Sequence, residues 1–166
     1  MALSASKPTR ISSTKCSSAH RVALAVEAKN GSIWFELGNS NSYWQDPAVI
    51  RFCDRYDLDP VRIDGCRFGL RGKQELLKKP WKIMTNNPDI YLALSDKRCT
   101  GGHVHEPCKG SAVTSTSARY PDELASTLHA AYARQMDRRR RGCSAPAAAG
   151  QPAITKQRDS PLLAPK

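Results

Sequence analysis

The chain has 166 residues, of which 40% are hydrophobic, and it carries a formal net charge of +11. This length predicts one domain with both ends left over as tails. The charge favours an anionic partner such as nucleic acid, and no apolar run approaches the length of a membrane span. Six cysteines without a secretory signal or a regular framework spacing indicate a reduced intracellular compartment, nuclear or cytoplasmic.

Both ends have the composition of disordered tails. Residues 1–19 are rich in Ser, Thr, Lys and Arg and contain no acidic residue, a composition that organelle transit peptides share. Residues 139–166 begin with arginines and continue with a segment rich in Ala and Pro. The sequence therefore predicts an ordered domain over residues 20–138, between a basic N-terminal tail and an Ala/Pro-rich basic C-terminal tail.

Helices and strands alternate through the predicted domain. We expect a helix over residues 20–30, a strand over 33–37, and a helix with Asp46 as its N-cap and Pro47 as its first residue. The remaining predicted elements are strands over 61–66 and 80–85, a short helix over 89–94 and a last helix from 121 to about 138. The core face of that last helix is predicted to consist of Leu124, Leu128, Ala131, Tyr132 and Gln135. This order is typical of an α/β domain with few strands.

A carboxylate lies inside the first predicted strand, Ile33-Trp34-Phe35-Glu36-Leu37. A lone charge in an apolar strand is costly unless it is paired or used. Since sites in open α/β sheets form at the carboxyl ends of strands, Glu36 is a candidate catalytic residue. The alternative is a glutamate that points out of a half-exposed strand.

Four side chains that bind metals lie in one short loop, namely Cys99, His103, His105 and Cys108. Two sulfur and two imidazole ligands suit tetrahedral zinc, although the spacing is shorter than in common zinc folds. Cys66 or Cys53 would complete such a site instead if the loop folded back. The alternative is an ordinary loop with packed or solvated side chains.

Cations and aromatic residues are interleaved between the second and third predicted strands. The candidate nucleic-acid-binding residues are Arg67, Arg71, Lys73, Lys78, Lys79, Trp81 and Lys82. Cations beside aromatic rings suit phosphate contact together with base stacking. The alternatives are a solvated loop for the cations and a core position for Trp81.

Five short motifs together resemble a known family. They are Phe35-Glu36 with Trp44 eight positions later, Asp64-x-Cys66-x-Phe68-Gly69, Lys78-Lys79-Pro80-x-x-x-x-Thr85-Asn86, Cys99-x-Gly101-Gly102-His103-x-His105 and Tyr120-Pro121-x-x-Leu124. In this order they resemble the C-terminal half of cytosine-5 DNA-methyltransferase-like proteins, above all divergent members from phages, algae and mobile elements. The resemblance covers residues 32–128 and implies a partial Rossmann-like, three-layer α/β fold.

The resemblance also implies a role for Glu36. In that family the strand glutamate contacts N3 of the target cytosine while a cysteine attacks C6. The family's Asn-Pro after the glutamate is Leu37-Gly38 here. Neither a glycine-rich loop for S-adenosylmethionine nor a Pro-Cys catalytic loop precedes the Glu36 strand. The resemblance therefore implies a relative that is inactive alone and needs a partner polypeptide to supply the missing half.

Two functional hypotheses follow from the sequence. The first is a truncated or degenerate DNA cytosine methyltransferase-like domain of mobile-element or viral origin that binds nucleic acid. The competing hypothesis is a small zinc-bound interaction module built on residues 99–108. A chain without an evolved function is a third alternative.

Overall fold

A computed structural model describes residues 13–108 and 117–142, with the backbone alone for residues 13–17. Within these ranges the helices are α1 (Ser13–Glu27), α2 (Pro47–Arg55), α3 (Pro88–Leu94) and α4 (Asp122–Arg140). The strands are β1 (Trp34–Gly38), β2 (Asp59–Asp64) and β3 (Pro80–Thr85), and short 3-10 helices cover Ser42–Gln45 and Gly65–Phe68. The predicted α/β class and the predicted order of these elements are confirmed.

The three strands form one antiparallel sheet in the order β1-β3-β2. On the central strand, Ile83 lies between Glu36 of β1 and Val61 of β2. The Rossmann-like arrangement is not confirmed, because Rossmann folds are built on mostly parallel strands. The rule that places sites at the carboxyl ends of parallel strands therefore gives no support to a site at Glu36.

Helices cover both faces of the sheet because successive strand residues point to opposite sides. On one face, Ile63 and Ile83 pack with residues of α3 and α4 such as Leu94 and Leu124 in the larger hydrophobic cluster. On the other face, Met84 belongs to a smaller cluster with residues of α1 and α2, such as Ala23, Tyr56 and Phe52. The result is three layers, with the sheet in the middle.

Sequence-coded caps set several helix ends. The Asp46 side chain accepts a 2.8 Å hydrogen bond from the Ala48 amide, and Pro47 is the first residue of α2, as predicted. Helix α1 begins at Ser13, so residues 13–19 are helical although the sequence assigned them to a tail. It ends at Glu27 and not at the predicted residue 30, and the turn that follows contains Asn30 with a positive φ of 51°.

Two other expectations need correction. β2 ends at Asp64, and Gly65–Phe68 forms a 3-10 helix instead of continuing the strand to residue 66. Tyr132, predicted for the core face of α4, is 50% exposed. The parts of the predicted tails at residues 1–12 and 143–166 lie outside the described residues. Among the helices that the structure does describe, none combines the length and apolar character needed to cross a bilayer.

Candidate metal centre

Cys66, Cys99, His103 and His105 meet at one end of the sheet. One ligand atom from each lies within 4.8 Å of the other three. Cys99 Sγ is 3.7 Å from His103 Nε2 and 3.6 Å from His105 Nε2. A tetrahedral zinc ion bonded to sulfur at about 2.3 Å and to nitrogen at about 2.05 Å would hold those atoms about 3.5 Å apart. The two distances from Cys99 to the histidines are close to this spacing, and the four residues form a group that could hold a metal ion.

The first ligand, Cys66, lies in the 3-10 helix that follows β2 and is 7% exposed. Its neighbour Gly65 donates its amide to the carbonyls of Lys78 and Lys79, at 2.9 and 3.0 Å. A Cβ at Gly65 would lie 2.6 Å from Leu70 Cδ2, so glycine permits this close approach of the chain. Cys66 is thereby fixed at the edge of the core.

Asp64 positions the second ligand. Its side chain is 1% exposed, and its Oδ2 accepts hydrogen bonds from the Cys99 amide at 2.8 Å and from Arg98 Nε at 3.0 Å. The Asp64 amide in turn donates to the Lys97 carbonyl at 3.0 Å. Because Asp64 precedes Cys66 by two residues, one short segment supplies a ligand and orients another.

A glycine turn connects Cys99 to the histidines. Gly101 and Gly102 have φ angles of +88° and +79°, which favour glycine. The Gly101 amide donates to Cys99 Sγ at 3.4 Å. The turn therefore places a backbone donor beside the sulfur of a candidate ligand.

His105 is fixed by pairing with the loop before β3. It forms a parallel bridge with Leu76, and the next amide, that of Glu106, donates to the Leu76 carbonyl at 2.9 Å. The Glu106 carboxylate accepts from the amides of Gln74 and Glu75, at 3.0 and 3.3 Å. These bonds lower the pKa of Glu106. The ligand loop is thus attached to the protein on both sides of the cluster.

Burial, followed by the neighbouring Cys99, raises the pKa of the Cys66 thiol to about 11. Without metal, Cys66 is therefore protonated at neutral pH. Zinc binding has to displace this proton, so zinc affinity will depend on pH.

Of the four metal-binding residues predicted from the sequence, Cys99, His103 and His105 lie in this cluster and Cys108 does not. Cys108 is exposed, and its Sγ lies 3.7 Å from Ser117 Oγ rather than in the cluster. Cys66 takes the fourth position, which the sequence had offered only as an alternative. No spacing in the sequence distinguishes Cys66 from Cys53, the other alternative, because the contact depends on how distant segments pack.

The predicted nucleic-acid residues do not form one surface. Trp81 is 3% exposed and lies in the larger core cluster, so it has no open face for base stacking. Lys79 donates to the Ser117 carbonyl at 2.6 Å and lies over the Trp81 ring. Lys82 points to the opposite face of the sheet, since neighbouring strand residues alternate. The remaining four cations are exposed: Arg67, Arg71, Lys73 and Lys78.

Glu36 is half-buried in β1 and is separated from β2 by β3. Tyr120 donates its hydroxyl to Glu36 Oε1, while Oε2 is buried without a partner among the described residues. Burial and the nearby Glu36 raise the pKa of Tyr120. A catalytic role for Glu36 stays a prediction.

An apolar cavity of about 620 Å³ opens between α1, β1 and α2. Val22, Val26, Phe35 and Phe52 line it, together with other mainly apolar side chains. It lies on the face of the sheet that holds the smaller core cluster, and none of the four clustered metal-binding residues lines it.

Comparison of the chain with protein-family models, with curated proteins and with solved structures found no match. Functional inference therefore depends on the geometry of the sites themselves.

Proposed function

We propose that this chain is a small zinc-bound interaction module. Zinc held by Cys66, Cys99, His103 and His105 would attach the ligand loop to the end of the sheet. The observation that carries the proposal is the convergence of four donor atoms within 4.8 Å of one another. These donors come from two segments separated by β3 and α3.

A structural metal is a better explanation than a catalytic one. Catalytic zinc sites keep one position open for water or substrate, whereas structural sites use four protein ligands. Four protein donors would complete a tetrahedral shell around a zinc ion. The proposed role of the metal is therefore to fix the conformation of a binding surface.

Metal analysis of cysteine variants tests this proposal. We expect one zinc per chain in the purified protein and an intense sulfur-to-metal absorption band after cobalt replaces zinc. Cys66→Ser and Cys99→Ser should each lose most of the metal. Cys108→Ser and Cys53→Ser are matched controls, because each also removes one thiol, and both should retain it.

Two results would contradict this site. Wild-type protein that binds neither zinc nor cobalt when refolded with the metal would exclude a metal module. Loss of metal in Cys108→Ser but not in Cys66→Ser would instead restore the ligand set predicted from sequence.

A degenerate methyltransferase-like domain is a second proposal. The feature in its favour is Glu36, whose carboxyl has one oxygen bonded to Tyr120 and one buried oxygen without a described partner. The Glu36 carboxyl would contact N3 of a target cytosine, as the resemblance to cytosine methyltransferases implies. Methyl transfer would still require another polypeptide to bind S-adenosylmethionine.

Binding to oligonucleotides of different base composition tests the second proposal. If Glu36 contacts cytosine, an oligo-dC strand should bind more tightly than an oligo-dT strand. Glu36→Gln should remove this preference. Equal binding of both strands by the wild-type protein would contradict a contact between Glu36 and cytosine.

A further inference from the structure

Two cations face each other on the sheet surface opposite the larger core. Lys82 of β3 pairs directly with Arg62 of β2 in the antiparallel register. Like charges at such opposed positions destabilise a sheet. This unfavourable pair of cations lies at the middle of the central strand. A bound anion would offset the repulsion between them.

The described protein residues do not provide that anion. Neither Arg62 nor Lys82 takes part in an ion pair among the described residues. Asp64, two residues beyond Arg62 on β2, is already bound by Arg98 and the Cys99 amide. Burial, and then the charge of Arg62, lower the pKa of Lys82. A bound anion would offset the repulsion between the Arg62 and Lys82 charges.

The Lys82 ammonium is also held in place. It lies 4.1 Å from the centroid of the Trp44 ring. The ring is fixed in turn, because Trp44 Nε1 donates to the Gly38 carbonyl at 2.8 Å and Phe35 stacks on the ring at 5.7 Å. Lys82 is therefore an ordered cation beside an exposed arginine, which is a more defined arrangement than two mobile surface side chains.

We propose that Arg62 and Lys82 bind a phosphodiester group of a nucleic-acid backbone. An arginine fork and a lysine point charge are a common pair for phosphate recognition, and the net charge of +11 attracts a polyanion. This inference names a partner for the proposed interaction module, and so rests on that function, but it uses residues outside the metal site. Because the contact is to phosphate, it should be independent of base sequence.

Fluorescence anisotropy with zinc-loaded protein tests the inference. The probes are one labelled mixed-sequence DNA oligonucleotide as a single strand and the same strand as a duplex, since both carry the same phosphodiester. The test variant is Arg62→Gln/Lys82→Gln. The matched control is Lys29→Gln/Arg134→Gln, which removes the same charge at exposed positions outside the candidate binding residues. Zinc content is measured for every protein, so that loss of metal is recognised separately.

We expect the test variant to bind at least tenfold more weakly than the control. Its plot of log affinity against log salt should become less steep by about 0.7 for a single strand and about 0.9 for a duplex, because one phosphate contact is lost. The probe that shows this change identifies the form of nucleic acid bound. Arg62→Lys/Lys82→Arg, which keeps both charges, should recover most of the affinity.

Three results would overturn the inference: equal weakening in the test and control variants, failure of wild-type protein to bind either probe, or full affinity in the test variant. If the test variant loses affinity while its zinc content is normal, the phosphate site stands apart from the metal site. If zinc is absent from wild-type protein but Arg62 and Lys82 still control binding, the metal proposal fails and the phosphate site is retained.

Discussion

Asp64 is the residue on which the metal centre depends most, although it is not itself a ligand. One of its oxygens holds the Cys99 amide and the Arg98 side chain, and the other is buried without a described partner. A fully buried carboxylate is costly unless the surrounding structure uses it. Here it fixes the loop that carries three of the four candidate ligands.

Asp64→Asn should therefore weaken metal binding without removing a ligand. We expect zinc affinity to fall about 10- to 100-fold, as is typical when the partner that orients a ligand is changed. Competition with a chromogenic chelator measures this. Asp96→Asn is the control, because the Asp96 side chain is 70% exposed and, within residues 13–108 and 117–142, its one ion pair is with Lys97. Similar losses in the two variants would contradict a specific role for Asp64.

Cys53 provides a prediction about pH on the opposite face of the sheet. Burial raises its pKa from 9.0 to about 11, against a smaller lowering effect of Lys82. Well below pH 9 the Cys53 thiol is protonated in both the folded and the unfolded protein. Between pH 9 and 11 the unfolded thiol ionises while the folded one keeps its proton, so the free energy of unfolding falls as pH rises.

Because solvent reaches part of the Cys53 side chain, its raised pKa has less effect on stability than that of a fully buried thiol. We expect Cys53 to account for about 1 kcal/mol of this loss in the free energy of unfolding. Urea unfolding at pH 8 and pH 10.5 measures the loss. Cys53→Ala should show a shallower decline than wild type. An identical decline in both proteins would show that other groups cause it.

At the scale of elements, the caps were predictable and the strand directions were not. The start of α2 at Asp46-Pro47 was predicted from its capping chemistry, and the start of α3 at Pro88 was predicted one residue too late, at residue 89. Alternating apolar residues indicate a strand but not its neighbour, because the period is the same in parallel and antiparallel sheets. The order β1-β3-β2 therefore could not be read from the pattern.

Asn87 joins helix α3 to helix α4. Its Oδ1 accepts from the Asp89 and Ile90 amides, and its Nδ2 donates to Gln135 Oε1 at 2.9 Å. We expect Asn87→Ala to lower the free energy of unfolding by about 2 to 3 kcal/mol, because it removes a cap and leaves buried groups unpaired. Thermal and urea unfolding measure this change.

Asn87→Asp separates the two roles of this side chain. It keeps the capping acceptor but loses the donor to Gln135, so its stability should lie between those of wild type and Asn87→Ala. Stability equal to wild type would show that the link to α4 contributes little.

The glycine turn in the ligand loop gives a further prediction at the scale of elements. Gly101→Ala and Gly102→Ala would introduce no contact within 4 Å among described atoms, but both positions have positive φ. Each substitution should cost about 1 kcal/mol through backbone strain and should weaken zinc binding. Gly38→Ala is the control, because its Cβ would also meet no described atom within 4 Å and its φ is not positive. Equal effects of all three substitutions would exclude strain as the cause.

At the scale of the whole molecule, the two segments that build the metal centre are separated by a strand and a helix. Sequence spacing showed the cluster of Cys99, His103 and His105, because those residues are close in the chain. It could not identify Cys66, since contact between distant segments depends on how the sheet and helices pack. For the same reason, Trp81 beside lysines suggested a nucleic-acid surface, whereas the fold buries it in the core.

Removing the metal should therefore loosen one end of the molecule first. With a chelator present, we expect faster hydrogen exchange at the amides of Cys99, Gly101 and Glu106, all of which are bonded near the cluster. Amides of the central strand β3 should keep their protection. Uniform loss of protection across the sheet would show instead that the metal is needed for the entire fold.

The positions of the ligands along the chain have one more consequence. A metal joining Cys66 to His105 would close a ring of about 40 residues, a constraint that reduces the conformational freedom of the denatured chain much as a disulfide does. This ring contains β3 and α3 but neither β1 nor α4. The ion would thus act as a removable cross-link that strengthens the central strand and its following helix while leaving β1 and α4 free to detach.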